Sequence, residues 1–361
     1  MKRKVWITAL RRCAALVCVA ALGTALFRCG IGQRLALAAA GLRRPEGALI
    51  LLDQQMSAPP PGYEAPQSDR FEWAGDTTVL DLPTVAVPSV DLPAITMTAP
   101  PANKGDGGKL SERVMNTGDR SKGVAVTNRS GTVVDIAAAL SRDLTVKWED
   151  TDAPQVLILH THTTEGYMTY EADYFNAADR HRTHDHTRNV CAVGDTVKRT
   201  LAAYGITAIH DTTVHDSPVY SGAYTRSAAV AESYLKKYPT IKIVLDLHRD
   251  SVMDGEVMIK PTATVEGKKA AQMMLITGVV STDALPHPHW QENLTLAAHW
   301  QEALDKVSPD LMRPLNLTAS RYNQHLSTGW VLVEMGAEGN TVEEAVYSAQ
   351  ILGRTLAELL G

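Results

Sequence analysis

Two runs of side chains decide what this chain can fold into. Val156-Leu-Ile-Leu159 and Ile241-Lys-Ile-Val-Leu-Asp-Leu247 are apolar at almost every position rather than at alternate ones. A strand with that pattern must be covered on both faces, which calls for a helix on each side of a largely parallel sheet. The first run ends abruptly: behind Leu159 come His160, His162 and Glu165. Open α/β sheets carry their chemistry at such carboxyl ends of strands.

The stretches between the runs supply the covering helices. Residues 135–144 predict a short helix, and 187–204 place Val190, Val193, Val197 and Leu201 on one stripe closed by Gly205. Residues 224–238 predict an amphipathic helix stopped by Pro239, and 289–307 and 341–360 two longer ones. Further strands are expected at 206–210 and 330–333. Two apolar stretches, 256–259 and 273–277, flank Glu266-Gly267 and predict a hairpin or a pair of edge strands. The expected fold class is therefore α/β, with a mixed, mostly parallel sheet and helices on both faces, over residues 124–361.

What precedes this domain reads differently. Lys2, Arg3, Lys4, Arg11 and Arg12 lead into an uncharged run from Cys13 to Phe27, closed by Arg28. The run is short against the ~17–25 residues of a spanning helix, but Trp6 and Ile7 extend it and the flanking arginines can snorkel. Ala38-Ala39-Ala40 offers a signal-peptide cleavage site, although Arg28 and Arg34 interrupt the approach to it. The expectation for 1–40 is a cytoplasmic stub and a single-pass membrane anchor, with the rest of the chain extracytoplasmic. Residues 41–123 are expected to be a disordered extracytoplasmic linker, with Pro59-Pro60-Pro61, Pro93, Pro100-Pro101 and Gly105-Asp-Gly-Gly108.

Composition narrows the function classes. A formal charge of −5 argues against nucleic acid as a partner. All 12 histidines lie beyond residue 159, in the predicted α/β domain. Cys191 is the one cysteine outside the first 40 residues, which excludes an intramolecular disulfide in that domain.

Three predicted strand ends carry polar groups: His160, His162 and Glu165; then Asp246, His248, Arg249 and Asp250; and last Glu334. If these strands are parallel and adjacent, the groups meet in one crevice. Neutral imidazoles with a carboxylate suit zinc, so one or both of His160 and His162, together with His248, are the candidate metal ligands. Glu334 is the candidate proton carrier of a hydrolytic reaction. Arg249 is placed to neutralise an oxyanion or a substrate carboxylate, or simply to pair with Asp246. The polar segment Arg180 to Arg188 precedes the next helix, and Asp185 or His186 within it offers a further ligand; Glu165 is the alternative carboxylate. No Gly-x-Ser-x-Gly elbow is present.

Taken together, the motifs resemble one family. They are His160-Thr-His-Thr-Thr-Glu165, Tyr224-Thr-Arg-Ser227, Asp246-Leu-His-Arg-Asp250, Leu285-Pro-His-Pro-His-Trp290, Arg321-Tyr-Asn-Gln324 and Leu332-Val-Glu-Met-Gly336 with Asn340-Thr341. From about Val124 to the C-terminus the chain is similar to stage II sporulation protein P. The resemblance implies a zinc amidase-like fold and a peptidoglycan hydrolase of endospore formation. That hydrolase cuts between N-acetylmuramic acid and L-alanine, with a second activity on peptide cross-links, beside stage II sporulation proteins D and M. Glu334, Gly336 and Asn340 also match in register the catalytic Glu-x-Gly-Phe-x-Ser-Asn segment of zinc N-acetylmuramoyl-L-alanine amidases, with Ala337 and Gly339 in place of its Phe and Ser. A catalytically inactive wall-binding module on the same fold is the competing expectation.

Overall fold

The computed structural model describes residues 88–118, 123–176 and 182–361. The predicted membrane anchor, the greater part of the predicted linker, and Arg180 and His181 lie outside the described residues. Within them, no helix is long and apolar enough to cross a membrane.

In chain order the elements are β1 (Leu110–Arg113), β2 (Val126–Asn128), α1 (Ile136–Ser141), β3 (Val156–Leu159), α2 (Val190–Ala203), β4 (Ala208–His210) and α3 (Ala223–Lys237). They continue with β5 (Ile243–Asp250), β6 (Met253–Asp254), β7 (Val257–Val265), β8 (Lys268–Ala271) and β9 (Met273–Gly278). The last are α4 (Trp290–Val307), β10 (Leu315–Thr318), β11 (Trp330–Ala337) and α5 (Val342–Leu359). Seven strands form the main sheet in the order β2-β10-β9-β11-β5-β3-β4. Every adjacent pair is parallel except β9 with β11, so the sheet is mixed and mostly parallel, as expected.

Side-chain parity sorts the two cores. Val156 and Ile158 of β3, Ile243, Leu245 and Leu247 of β5, and Val331 and Val333 of β11 enter a large core with α2, α4 and α5. The alternate residues Leu157, Leu159, Val244 and Trp330 enter a smaller core, with Ala231, Tyr234 and Leu235 of α3. Because neighbouring residues of a strand point to opposite faces, Asp246, His248 and Glu334 fall on the α3 face. His160 continues the parity of Val156 and Ile158 and falls on the α2 face.

Two expectations need correction. The Glu266-Gly267 turn does join a hairpin, and both residues have positive φ, 50° and 77°. Its second strand, however, is β8, not residues 273–277. Those residues form β9, which pairs with β11 inside the main sheet. The expected linker is also ordered in its last part. β1 pairs in parallel with β7, from Leu110↔Met258 to Arg113↔Pro261. Leu110 is buried, and Met115 N donates to Gln272 Oε1 at 2.6 Å. Thr96 and Thr98 bond to Thr187 and Thr169 through backbone and hydroxyl groups. A polar strand such as Leu-Ser-Glu-Arg gains order here from backbone ladder bonds, which composition does not record.

Leu110→Ala, measured by chemical denaturation of the full chain, should lower stability by about 2–3 kcal/mol, the lower part of the range for a buried leucine. A loss within the ~0.5 kcal/mol of an ordinary surface change would mean that β1 does not belong to the folded unit.

Candidate active site

The topology creates a crevice beside β3. From β3 the chain runs through α2 to the edge strand β4, then back through α3 to β5 on the other side of β3. The strand order thus reverses at β3, and the loops at the carboxyl ends of β3 and β5 separate to leave a cleft. Leu159 is the register partner of Asp246, and His248 that of Glu334, so three adjacent parallel strands deliver their polar ends to one place.

Asp246 anchors that place. It is fully buried and accepts from Thr161 N at 2.8 Å and Thr161 Oγ1 at 2.7 Å. Its Oδ1 also lies 2.9 Å from His248 Nε2. Burial alone would raise its pKa, but the His248 charge and the Thr161 bonds outweigh burial and hold it below the usual carboxylate range. The other ring nitrogen of His248, Nδ1, faces Glu165 Oε2 at 3.4 Å. Burial disfavours the cationic ring, yet Asp246 and then Glu165 raise His248 well above its ordinary value.

Glu165 sits in the turn that follows β3. Its Oε2 accepts from Arg249 N at 3.1 Å, and its Oε1 lies 3.7 Å from Arg182 Nη2. Burial opposes ionisation of this carboxyl, but His248, His162 and Arg249 lower its pKa strongly. His162 stacks on Tyr220 with ring centroids 4.5 Å apart, and Tyr220 Oη is 3.0 Å from its Nε2. Its ring meets that of His248 edge-on at 5.2 Å, and its buried Nδ1 has no hydrogen-bond partner. Tyr224, at the start of α3, touches both imidazoles.

Glu334 reaches the same face through a backbone device. A bulge follows it between Glu334 and Ala337 of β11, where Gly336 takes a φ of 75°. A Cβ at Gly336 would stand 2.6 Å from Asn340 Oδ1 and 2.7 Å from Ala271 Cβ. Asn340 clamps the bulge: its Oδ1 accepts from Ala337 N at 2.9 Å, while its Nδ2 donates to Pro261 O and Glu344 Oε2. The spacing Glu-x-Gly-x-x-x-Asn is thus a means of aiming one carboxylate. Glu334 Oε2 is enclosed and unpartnered. Burial, then the charge of Asp250, raises its pKa well above the usual range.

The sequence candidates do not all converge. His162, Glu165, His248 and Glu334 share this site. His160 does not: its Nδ1 donates to Leu247 O at 2.8 Å, and its Nε2 lies 2.8 Å from His210 Nε2 on the α2 side. The chain turns directly after β3, so the two histidines are not on one strand face. Arg249 is committed to Gly166 O at 3.0 Å and Glu338 at 3.4 Å, rather than to Asp246. Asp185 is exposed and bonded to Thr187 N and Oγ1, and His186 is exposed. Three participants escaped the sequence reading. Tyr220 and Asp216 sit in the β4–α3 connection without a motif, and Arg182, inside the polar segment, pairs with Asp216 at 2.5 Å and covers the Tyr220 ring.

The donor set fits zinc on two observations. His162 Nδ1 is a buried nitrogen that no protein group satisfies. His248 Nδ1 and Glu165 Oε2 are separated by 3.4 Å, near the ~3.3 Å edge of a tetrahedron with bonds of ~2.0 Å. Asp246 Oδ1 stands 2.9 Å from the far nitrogen of His248 as its ionic partner, on the side where metal-bound imidazoles commonly have a carboxylate, although the N–H is not aligned on it. Among the described residues, the groups drawing three donor atoms within 4.8 Å are His160–Cys191–His210 and Glu112–Glu171–Glu344; the His162–Glu165–His248 group is more open.

Compared with known proteins, the chain matches the family model for stage II sporulation protein P over residues 102–357. No curated protein matches it. Among solved structures it is similar to the N-acetylmuramyl-L-alanine amidase Ami1 of Mycobacterium smegmatis, at 15% identity and a TM-score of 0.35, over 58% of this chain and 98% of that one. It is also similar to an N-acetylmuramoyl-L-alanine amidase of Clostridium difficile 630, at 12% identity and a TM-score of 0.35, over 58% and 96%. A third is AmiC2 of Nostoc punctiforme, at 11% identity and a TM-score of 0.32, over 57% and 94%.

Asp246→Asn should destabilise the chelator-treated protein by about 3 kcal/mol at neutral pH, since it breaks a buried charge network. Because the folded pKa of Asp246 is lowered, its contribution is complete above the unfolded value of about 4 and fades as pH falls through the folded one. The gap between wild type and variant should therefore be level between about pH 5 and 6, narrow below about pH 4, and narrow again at higher pH as His248, which Asp246 raises, loses its proton. Urea titrations across that range that show a constant gap would show that Asp246 is not held ionised by its partners.

Proposed function

The chain belongs to the stage II sporulation protein P family, and from that premise we propose that it is a peptidoglycan hydrolase of endospore formation. Its bond is the amide between N-acetylmuramic acid and L-alanine of the stem peptide. The carrying observation is the meeting of Glu334, His248, Glu165 and His162 at the ends of adjacent strands, with one carboxyl inclined to hold a proton and the other to lose it.

His162, Glu165 and His248 would hold the zinc, which when bound would supply a more acidic water and a polarised scissile carbonyl. Glu334 takes the proton of the attacking water and returns it to the departing L-alanine amine. Its raised pKa favours the second step; the first needs positive charge near it, of which Arg313, which works against the rise, is one source. Asp246 fixes the direction of the His248 ring, and Thr161 fixes Asp246. Arg182 and Tyr220 form one wall of the crevice, where a guanidinium and a phenol suit the carboxylates and amides of a peptide stem.

The uncharged segment from Cys13 to Phe27 supports a single-pass anchor that leaves this domain outside the membrane, facing the wall. Stage II sporulation proteins D and M are the membrane-associated partners proposed on family grounds. Hydrolysis of peptide cross-links is the second activity to look for in the same products.

Glu334→Gln nearly conserves volume and removes the proton carrier. It should keep zinc while kcat falls by about 10²–10⁴, with muropeptide analysis of wild-type digests showing free L-alanine amines. Zinc loss in the variant would make Glu334 a ligand, and unchanged activity would remove it from the mechanism.

A further inference from the structure

On the α2 face of the sheet, opposite the proposed active site, three soft donors converge. His160, Cys191 and His210 each present a ligand atom, and these atoms lie within 4.8 Å of one another. They come from three elements: the residue behind β3, the first turn of α2 and the end of β4. We propose that His160, Cys191 and His210 form a second metal site, for a borderline-soft divalent ion such as zinc, which ties α2 to the carboxyl ends of β3 and β4. It stands apart from the hydrolase reading, because none of its ligands is in the proposed catalytic set.

Three features support it. First, a carbonyl oxygen only accepts, so His160 Nδ1 carries the proton in its 2.8 Å bond to Leu247 O. That leaves the His160 Nε2 lone pair aimed at the cluster, with the backbone support usual for a ligating imidazole. Second, the two rings are packed together on this face: His160 is buried, and its ring meets that of His210 edge-on with centroids 5.1 Å apart. Third, space in front of the two nitrogens is kept open by Gly194. A Cβ there would stand 2.4 Å from His210 Nε2 and 2.8 Å from His160 Nε2. Glycine inside a helix is less favourable than alanine, so this position gives up helix stability for that space.

The proton balance is simple. The Cys191 thiol, which burial pushes up to about 12, releases its proton to solvent as the sulfur binds the cation. His210 now shares its Nε2 proton with His160; it carries that proton on Nδ1 instead, and Nε2 turns to the metal. No oxidation or reduction is involved. His210 is only partly buried and gives the ion a way in. Thiolate and imidazole are both zinc ligands, and three protein ligands leave a fourth position open to water.

The test uses cobalt(II) as the probe in the full chain carrying C13S, C18S and C29S, so that Cys191 is the sole thiol. A near-ultraviolet thiolate-to-cobalt charge-transfer band should appear, since the proposed catalytic ligands include no sulfur. It should vanish in C191S and persist in H248A. H210Q keeps the thiol, and should weaken the cobalt affinity read from this band at least about tenfold, since losing even a partner behind a ligand costs about that much. Absence of the band from the Cys191-only chain overturns the proposal, whether or not cobalt binds elsewhere. So does a band that survives C191S, one lost in H248A, or full affinity in H210Q.

Discussion

The arrangement described here depends on a carboxylate buried in the middle of a sheet. Asp246 stands on β5 with no exposure to solvent, where an ionised group is tolerable only if every lone pair facing the interior finds a donor. Thr161 supplies two of those donors and His248 a charge. Thr161 is also where the chain leaves β3, so satisfying Asp246 ties the turn after β3 to β5. That turn carries His162 and Glu165. Thr161 Oγ1 is in turn 2.7 Å from Ser227 Oγ of α3, and Asn323 donates to the same serine. One buried charge therefore fixes a strand end, a helix and a loop, and the direction of the His248 ring is a by-product of its neutralisation.

The strands and helices were legible in the sequence because their covering is periodic. The helices at 190–203, 223–237, 290–307 and 342–359 fall within a few residues of the apolar stripes, and the doubly buried runs became β3 and β5. Parity within the strands was also readable, and it places Asp246, His248 and Glu334 on one face. The turn after β3 was not readable. His160 and His162 look like a pair at i and i+2, yet the chain bends between them. One ring enters the α2 side with Cys191 and His210, and the other the α3 side with Tyr220 and His248. Nothing in Thr161 announces that bend, because its cause is Asp246, 85 residues away.

The ordering of β1 was hidden for a different reason. Its residues are mostly polar, and the surrounding prolines and glycines belong to a stretch too poor in apolar groups to fold alone. What orders it is an edge: β7 offers unpaired backbone groups, and β1 covers them. The second strand of the 256–277 region is hidden on similar grounds. Lys268-Lys-Ala-Ala271 is a poor strand by composition, but it follows a two-residue turn with both φ values positive, which closes a hairpin locally and releases Met273 onward to the main sheet.

Two carboxyls in this crevice are driven in opposite directions by surroundings that differ in one respect. Glu165 and Glu334 are both enclosed, and for each the largest influence is burial, which favours the neutral form. Around Glu165 the nearest charges are cationic: His248 above all, with Arg249, overcomes burial, and the group is held ionised. Around Glu334 the first charge is another carboxylate, Asp250, and although His248 and Arg313 work the other way, the group is held protonated. Asp250 is itself paired with Arg313 at 2.8 Å, which fixes it in place. A permanent anion suits a cation ligand, whereas a carboxyl whose charge follows its surroundings suits the transfer of protons. This opposition is the physical reason for assigning binding to Glu165 and proton transfer to Glu334, and the Gly336–Asn340 clamp keeps the second group from turning away to seek a hydrogen bond of its own.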